Sequence, residues 1–174
     1  MASGNHTGTV SRIHILLAGL ESGVIGGLAM LAWLALVSLW YGRSVWSISN
    51  LLATTFYGNS AFRRGFRWAT LSGLGLHVVV NGLLGIAFGF AVSGVASRLH
   101  VRVLGLLFGI AWYYLWFGFL WKHVNPLVPL YSPERGMIIA HFALGAFLGS
   151  FPKYLRSVAG DDSGLSQPEG PREQ

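Results

Sequence analysis

Two histidines lie inside otherwise apolar stretches of the chain, and they are the side chains best suited to chemistry: His77 and His141. Polar groups within a membrane are costly and often functional. Imidazole is an axial ligand for haem iron and can serve chlorophyll magnesium similarly, so the pair can hold one haem or two separate pigments. A proton relay is a further alternative. The favoured interpretation is structural, with each ring hydrogen-bonded to a backbone carbonyl or to Asn81.

Both imidazoles are expected to point into the protein, because a ring facing acyl chains has no hydrogen-bond partner.

Glu21 is the one acidic residue within the apolar stretches. It can pair with His77 or His141 in the interior. The favoured alternative places Glu21 near the membrane interface, since it lies only two turns from His14.

An aromatic run occupies residues 112–121 and includes Trp112, Trp116 and Trp121. Trp and Tyr are typical of membrane interfaces, which accounts best for Trp121. The favoured interpretation is a lipid-facing helix. The alternative is contact with a flat ligand such as a pigment, a quinone or a sterol.

Glycines recur every four residues in the apolar stretches, and steps of four form one ridge on a helix. Such ridges allow helix backbones to approach closely in lipid. The predicted packing positions are Gly73, Gly85, Gly89, Gly105, Gly109, Gly145 and Gly149. The ridges that also carry His77 and His141 are expected to face each other or the partner hairpin.

Composition identifies the class of protein. Of the 174 residues 53% are hydrophobic and 10% are charged, against about 25% charged in a soluble domain, and the mean hydropathy is +0.55. The net charge of +6 lies beside apolar runs, so it indicates contact with anionic lipid head groups rather than with nucleic acid. There is no cysteine, which excludes thiol catalysis and disulfides.

Four charge-poor runs predict an all-α, polytopic membrane protein, because lipid leaves backbone groups no partner outside helices and closed barrels. The predicted transmembrane helices are 15–41, 69–95, 103–121 and 137–155, within a domain of residues 14–157. A polar segment, 1–13, precedes them, and a flexible acidic tail, 158–174, follows. Apolar residues at helical spacing predict an amphipathic interfacial helix at about 45–57.

The four helices are expected to form two hairpins in a parallel repeat. Gly23 and Gly105, like Gly27 and Gly109, lie 82 residues apart. The paired helices, one with His-x3-Asn-x3-Gly-x3-Gly at 77–89 and one with His-x3-Gly-x3-Gly at 141–149, and the turn 125–127 (Asn-Pro-Leu) resemble the YagU-like small four-helix inner-membrane proteins, a largely uncharacterised class. The resemblance implies a bacterial membrane protein and transfers no catalytic residue.

No phosphate-binding loop, His-Glu-x-x-His motif, Ser/His/Asp set or pair of carboxylates occurs in the sequence. We therefore expect a non-catalytic accessory or scaffold subunit of a larger complex in the bacterial inner membrane. Its partners would be the bilayer and other subunits or further copies of itself. The alternatives are a subunit that binds haem or chlorophyll through His77 and His141, and a small transporter or proton-linked channel.

Overall fold

The computed structural model describes residues 11–62 and 65–165, which contain helices and connections and no strand. The α-helices are α1 (Arg12–Trp40), α2 (Ser47–Tyr57), α3 (Trp68–Val92), α4 (Arg98–Tyr113), α5 (Trp121–Val124), α6 (Leu127–Tyr131), α7 (Glu134–Leu148) and α8 (Phe151–Leu165). A 3₁₀ turn, Gly58–Ala61, follows α2, and a π-helical segment, Tyr114–Leu120, joins α4 to α5. The predicted all-α class is confirmed.

Four helical stretches are long and apolar enough to cross a membrane: Arg12–Trp40, Trp68–Val92, Arg98–Val124 and Glu134–Gly160. They coincide with the four predicted transmembrane runs, with ends that differ from the predicted ones by one to five residues. The third stretch begins at Arg98 and not near residue 103, because Ser97 caps it by accepting a hydrogen bond from the His100 backbone N–H. Ser11 caps α1 in the same way, through the His14 N–H. Most of the predicted N-terminal segment 1–13 lies outside the described residues.

Helices α1 and α3 pack at glycine positions. A Cβ atom added to Gly19 would lie 2.7 Å from the carbonyl oxygen of Gly85. A Cβ at Gly23 would overlap the carbonyl oxygen of Asn81 and lie 2.9 Å from the Cα of Gly85. The two backbones therefore touch where neither helix carries a side chain, which is the geometry of small-residue packing in membranes.

Helices α4 and α7 meet in the same manner. A Cβ at Gly109 would overlap the carbonyl oxygen of His141 and lie 2.9 Å from the Cα of Gly145. A Cβ at Gly105 would lie 2.6 Å from the Gly145 carbonyl oxygen. The glycine ridge of α7 thus faces α4 and that of α3 faces α1. Neither expected alternative, in which the ridges face each other or the partner hairpin, is observed.

Helix α1 also packs along α7 and joins the two pairs. The indole N–H of Trp33 donates to the carbonyl oxygen of Gly136 at 3.0 Å. Gly26, which lies beside the α3 contact on the surface of α1, packs against Leu144 and Phe147. Helix α1 is therefore the central element of the bundle, in contact with both α3 and α7.

Helix α2 lies within three residues of its predicted bounds, but its environment differs from the prediction. Every residue from Ile48 to Thr54 is buried, and Gly73 allows the α2 backbone to touch α3 at Ser49. A helix lying in the interface would expose one face. The expected interfacial helix is instead packed into the protein, chiefly against α3.

The chain beyond α7 also departs from the prediction of a flexible tail from residue 158. After a turn at Gly149 and Ser150 the backbone continues as α8 to Leu165, and residues 166–174 lie outside the described part. Pro152 is tolerated because it lies in the first turn of α8, where its missing N–H would have no helical partner. Tyr154, Leu155 and Val158 pack against the buried core, which accounts for the order of this segment.

Candidate functional site: a cavity between the helices

The two histidines face one cavity in the middle of the bundle. His77 is 7% exposed and His141 is 2% exposed, and both line a space of about 40 Å³. Residues of α1, α2, α3, α4 and α7 contribute to its wall. Both rings point into the protein, as the sequence predicted.

His77 is held by the neighbouring helix. Its Nε2 lies 2.9 Å from the carbonyl oxygen of Gly27 in α1. Because a carbonyl oxygen only accepts, this nitrogen carries the hydrogen, and the neutral ring then has an unprotonated Nδ1. No residue of the described ranges donates a hydrogen bond to that Nδ1.

Asn81 lies one turn after His77 and supports this arrangement. Its amide Nδ2 donates to the His77 carbonyl oxygen at 2.8 Å. The side chain occupies the space left by Gly27, where an added Cβ would lie 2.8 Å from the Asn81 Cβ. Asn81 is thus a packing residue of the α1–α3 contact, and it does not bond to the imidazole itself.

His141 is held by its own helix. Its Nδ1 donates to the carbonyl oxygen of Met137 at 2.7 Å, which leaves Nε2 unprotonated in the neutral ring. The rings of Tyr113 and Phe117 lie edge-on to the imidazole, with centroids 5.3 and 6.1 Å away. Each histidine therefore donates its N–H to a backbone carbonyl oxygen. This is the structural role favoured from the sequence.

The aromatic run forms one wall of the cavity, contributed by Trp112, Trp116, Phe117 and Trp121. In a regular α-helix Trp112 and Trp121 are about two and a half turns apart and lie on opposite faces. The π-helical segment between them turns less per residue and brings both to the cavity. Trp121 is 4% exposed, so its side chain faces the interior of the bundle. The period of a π-helix could not be anticipated from residue types.

The cavity does not fit a haem or a chlorophyll. Its volume of about 40 Å³ is well below the ~150 Å³ of a cavity that admits benzene. A planar tetrapyrrole between His77 and His141 would require the helices to separate. The space suits a few water molecules, which could donate to the two unprotonated ring nitrogens.

The groups around the cavity are poor ligands for hard metal ions. Imidazole rings and the methionines Met30 and Met137 line it; a thioether is a ligand for soft metals such as Cu(I), and imidazole suits Zn, Cu, Fe and Ni. In the described ranges no three His, Cys, Asp or Glu side chains come together as a metal site.

Glu21 does not take part in the cavity. Its side chain is exposed, and the structure gives it no hydrogen bond or ion pair with His77 or His141 among the described residues. The alternative in which Glu21 pairs with a buried histidine is therefore not supported by the geometry. Its outward position agrees with the interfacial alternative.

A second polar cluster lies beside the cavity and was not singled out from the sequence. The hydroxyl of Thr70 donates to Asn50 Oδ1 at 2.5 Å, and Asn125 Nδ2 donates to Thr54 Oγ1 at 2.7 Å. These bonds join α2 to the start of α3 and to the turn after α5. The available signal in the sequence is the presence of Asn50 and Thr54 within the apolar helical pattern of residues 45–57.

Comparison of the chain with models of protein families, with curated proteins and with solved structures found no match. The resemblance to the YagU-like proteins therefore stays an expectation from the motif alone.

Proposed function

We propose that the chain is a multi-pass protein of the bacterial inner membrane that works by contact, as a non-catalytic accessory or scaffold subunit. The observation that carries this proposal is the exposed surface of α4. Within the apolar 18-residue part of the Arg98–Val124 stretch, 17% of the residues are buried in the protein. In the corresponding part of each of the other three stretches, 39–44% of the residues are buried. A helix attached mainly through one glycine strip offers most of its circumference to a neighbour.

Tyr114 favours a protein neighbour over lipid at this surface. Its side chain is 65% exposed, and its hydroxyl has no hydrogen bond among the described residues. It lies ten residues before Val124, at most about 15 Å from the end of the stretch, because an α-helix rises 1.5 Å per residue and the π-helical part rises less. A tyrosine hydroxyl at that depth needs a polar partner, which acyl chains do not supply. A helix of another subunit, or of a second copy of the chain, supplies one.

The proposal includes two hairpins related as a parallel repeat, with a different register from the 82-residue offset. Ser11-Arg12-Ile13-His14 matches Ser97-Arg98-Leu99-His100 at an offset of 86 residues. The same offset relates Gly23 to Gly109. The contacts of these two glycines are equivalent, to Asn81 and Gly85 in one pair and to His141 and Gly145 in the other. This register makes Asn81, not His77, the counterpart of His141.

Native gel electrophoresis of membranes extracted in mild detergent tests the proposal. Leu107→Trp changes the exposed surface of α4, and Leu83→Trp is the matched control on α3; the two leucines are 57% and 61% exposed. We expect the wild type and Leu83→Trp to migrate as one assembly larger than the single chain. Leu107→Trp should migrate as the single chain. Migration of the wild type as a single chain, or equal behaviour of the two variants, contradicts the contact role of α4.

A further inference from the structure

A basic pocket lies at the end of the bundle where α4 begins and α7 gives way to α8. It has a volume of about 160 Å³, and four cationic side chains line it. They are Arg98, Arg102, Lys153 and Arg156. We infer that this pocket binds the phosphate of an anionic phospholipid head group. The inference rests on the proposed membrane location.

The backbone brings these four cations together. Gly149 lies against α4 so closely that an added Cβ would be 2.8 Å from the Cα of Arg102. After a two-residue turn, α8 presents Lys153 and Arg156, three residues apart and on one face, to the start of α4. Arg98 and Arg102, four residues apart, share a face of α4 in the same way.

The pocket lacks a counter-charge among the side chains of residues 11–62 and 65–160. None of the four cations forms an ion pair there, and the guanidinium of Arg156 donates through Nε to the carbonyl oxygen of Pro152 at 3.1 Å. Four like charges around one small space repel one another, so an anion bound between them is stabilised. Guanidinium groups match phosphate oxygens with paired N–H donors.

The position of the pocket selects a lipid as the source of the phosphate. Arg98 is the first residue of a membrane-length stretch, so the pocket lies at the level of the head groups. Leu99 and Val103, beside the arginines on α4, are 68% and 47% exposed and can contact acyl chains. The N-termini of α4 and α8 both lie at this end and favour negative charge.

Native mass spectrometry and thermal unfolding of the full chain test the assignment. The chain is placed in phosphatidylcholine nanodiscs with or without phosphatidylglycerol, and separately in detergent with inorganic phosphate. We expect phosphatidylglycerol to bind and to raise the unfolding temperature, and inorganic phosphate at the same concentration to do neither. Arg98→Gln combined with Arg102→Gln should weaken phosphatidylglycerol binding about tenfold or more, since two charge-assisted hydrogen-bonding groups are lost.

Arg12→Gln is the matched control, because Arg12 precedes Ile-His in α1 as Arg98 precedes Leu-His in α4, and it does not line the pocket. It should bind phosphatidylglycerol like the wild type. Equal loss in Arg12→Gln and the double variant overturns the pocket, and equal stabilisation by inorganic phosphate overturns the lipid source. A double variant that stays in the membrane fraction and binds phosphatidylglycerol normally overturns this inference alone. A wild-type chain absent from the membrane fraction overturns the proposed function.

Discussion

At Gly85 a single methyl group decides whether two helices can touch. A Cβ there would overlap the carbonyl oxygen of Gly19 and lie 2.7 Å from the Cα of Gly23. We expect Gly85→Ala to destabilise the protein by about 1–3 kcal/mol, because the helix backbones must separate. Thermal unfolding in detergent measures the effect.

Gly75 provides the control for Gly85 in the same helix. A Cβ at Gly75 meets nothing within 4 Å, so Gly75→Ala should be neutral or slightly stabilising. Gly58 would be a poor control, because its φ of 56° is strained for any other residue. Equal losses at Gly75 and Gly85 would show that the α1–α3 backbone contact is not the cause.

The histidines give a second prediction at the residue scale. Replacing both His77 and His141 with Leu should leave the visible absorbance spectrum of the purified protein unchanged, because the cavity between the rings is too small for a tetrapyrrole. The variant should also remain folded, since each ring N–H bonds a carbonyl that already belongs to a helix. A Soret band in the wild type that the double variant lacks would show that the helices open to admit a macrocycle.

The inward direction of these rings could be predicted because lipid offers imidazole no partner. The carbonyl groups that accept hydrogen bonds from the two rings could not be predicted. Gly27 is 50 residues from His77, and the register of α1 against α3 depends on which glycines meet. The spacing of the glycines alone is compatible with more than one register of α1 against α3.

Among the elements, α2 shows what hydrophobic periodicity leaves open. The pattern predicted a helix at 45–57, and a helix lies at Ser47–Tyr57. The same pattern does not tell whether Asn50 and Thr54 face water or a buried polar partner. The partners, Thr70 and Asn125, come from distant parts of the chain. The four long helices were predictable because an apolar run of that length has few other structures open to it in lipid.

Asn125 anchors the turn after α5 to α2 and gives a prediction at this scale. It is 5% exposed and donates to Thr54 and to Thr55. Asn125→Ala leaves a buried hydroxyl partner without its donor, so we expect a loss of about 1–3 kcal/mol in unfolding free energy. Asn59→Ala, at an exposed position of the 3₁₀ turn, should change the unfolding free energy by less than about 0.5 kcal/mol. Similar losses in both variants would argue against the anchoring role.

For the molecule as a whole, contacts between helix ends show that successive membrane-length stretches run in opposite directions. At Gly89, near the end of α3, an added Cβ would lie 3.3 Å from the carbonyl oxygen of Ile15, near the start of α1, and 2.8 Å from the ring of Phe151. Gly149, at the end of α7, lies against Arg102, near the start of α4. One end of the bundle therefore gathers the starts of α1, α4 and α8 with the ends of α3 and α7.

This arrangement predicts that both termini lie on the same side of the membrane. Reporter fusions at residue 5 and after residue 160 should report one side, and an insertion in the connection between α1 and α2 should report the other. The physical reason is that four antiparallel crossings return the chain to the side from which it started. Opposite sides for the two termini would mean that one stretch does not cross. In that case we expect Glu134–Gly160 to be the stretch that does not cross, because it has the lowest hydropathy of the four and is interrupted by the turn at Gly149.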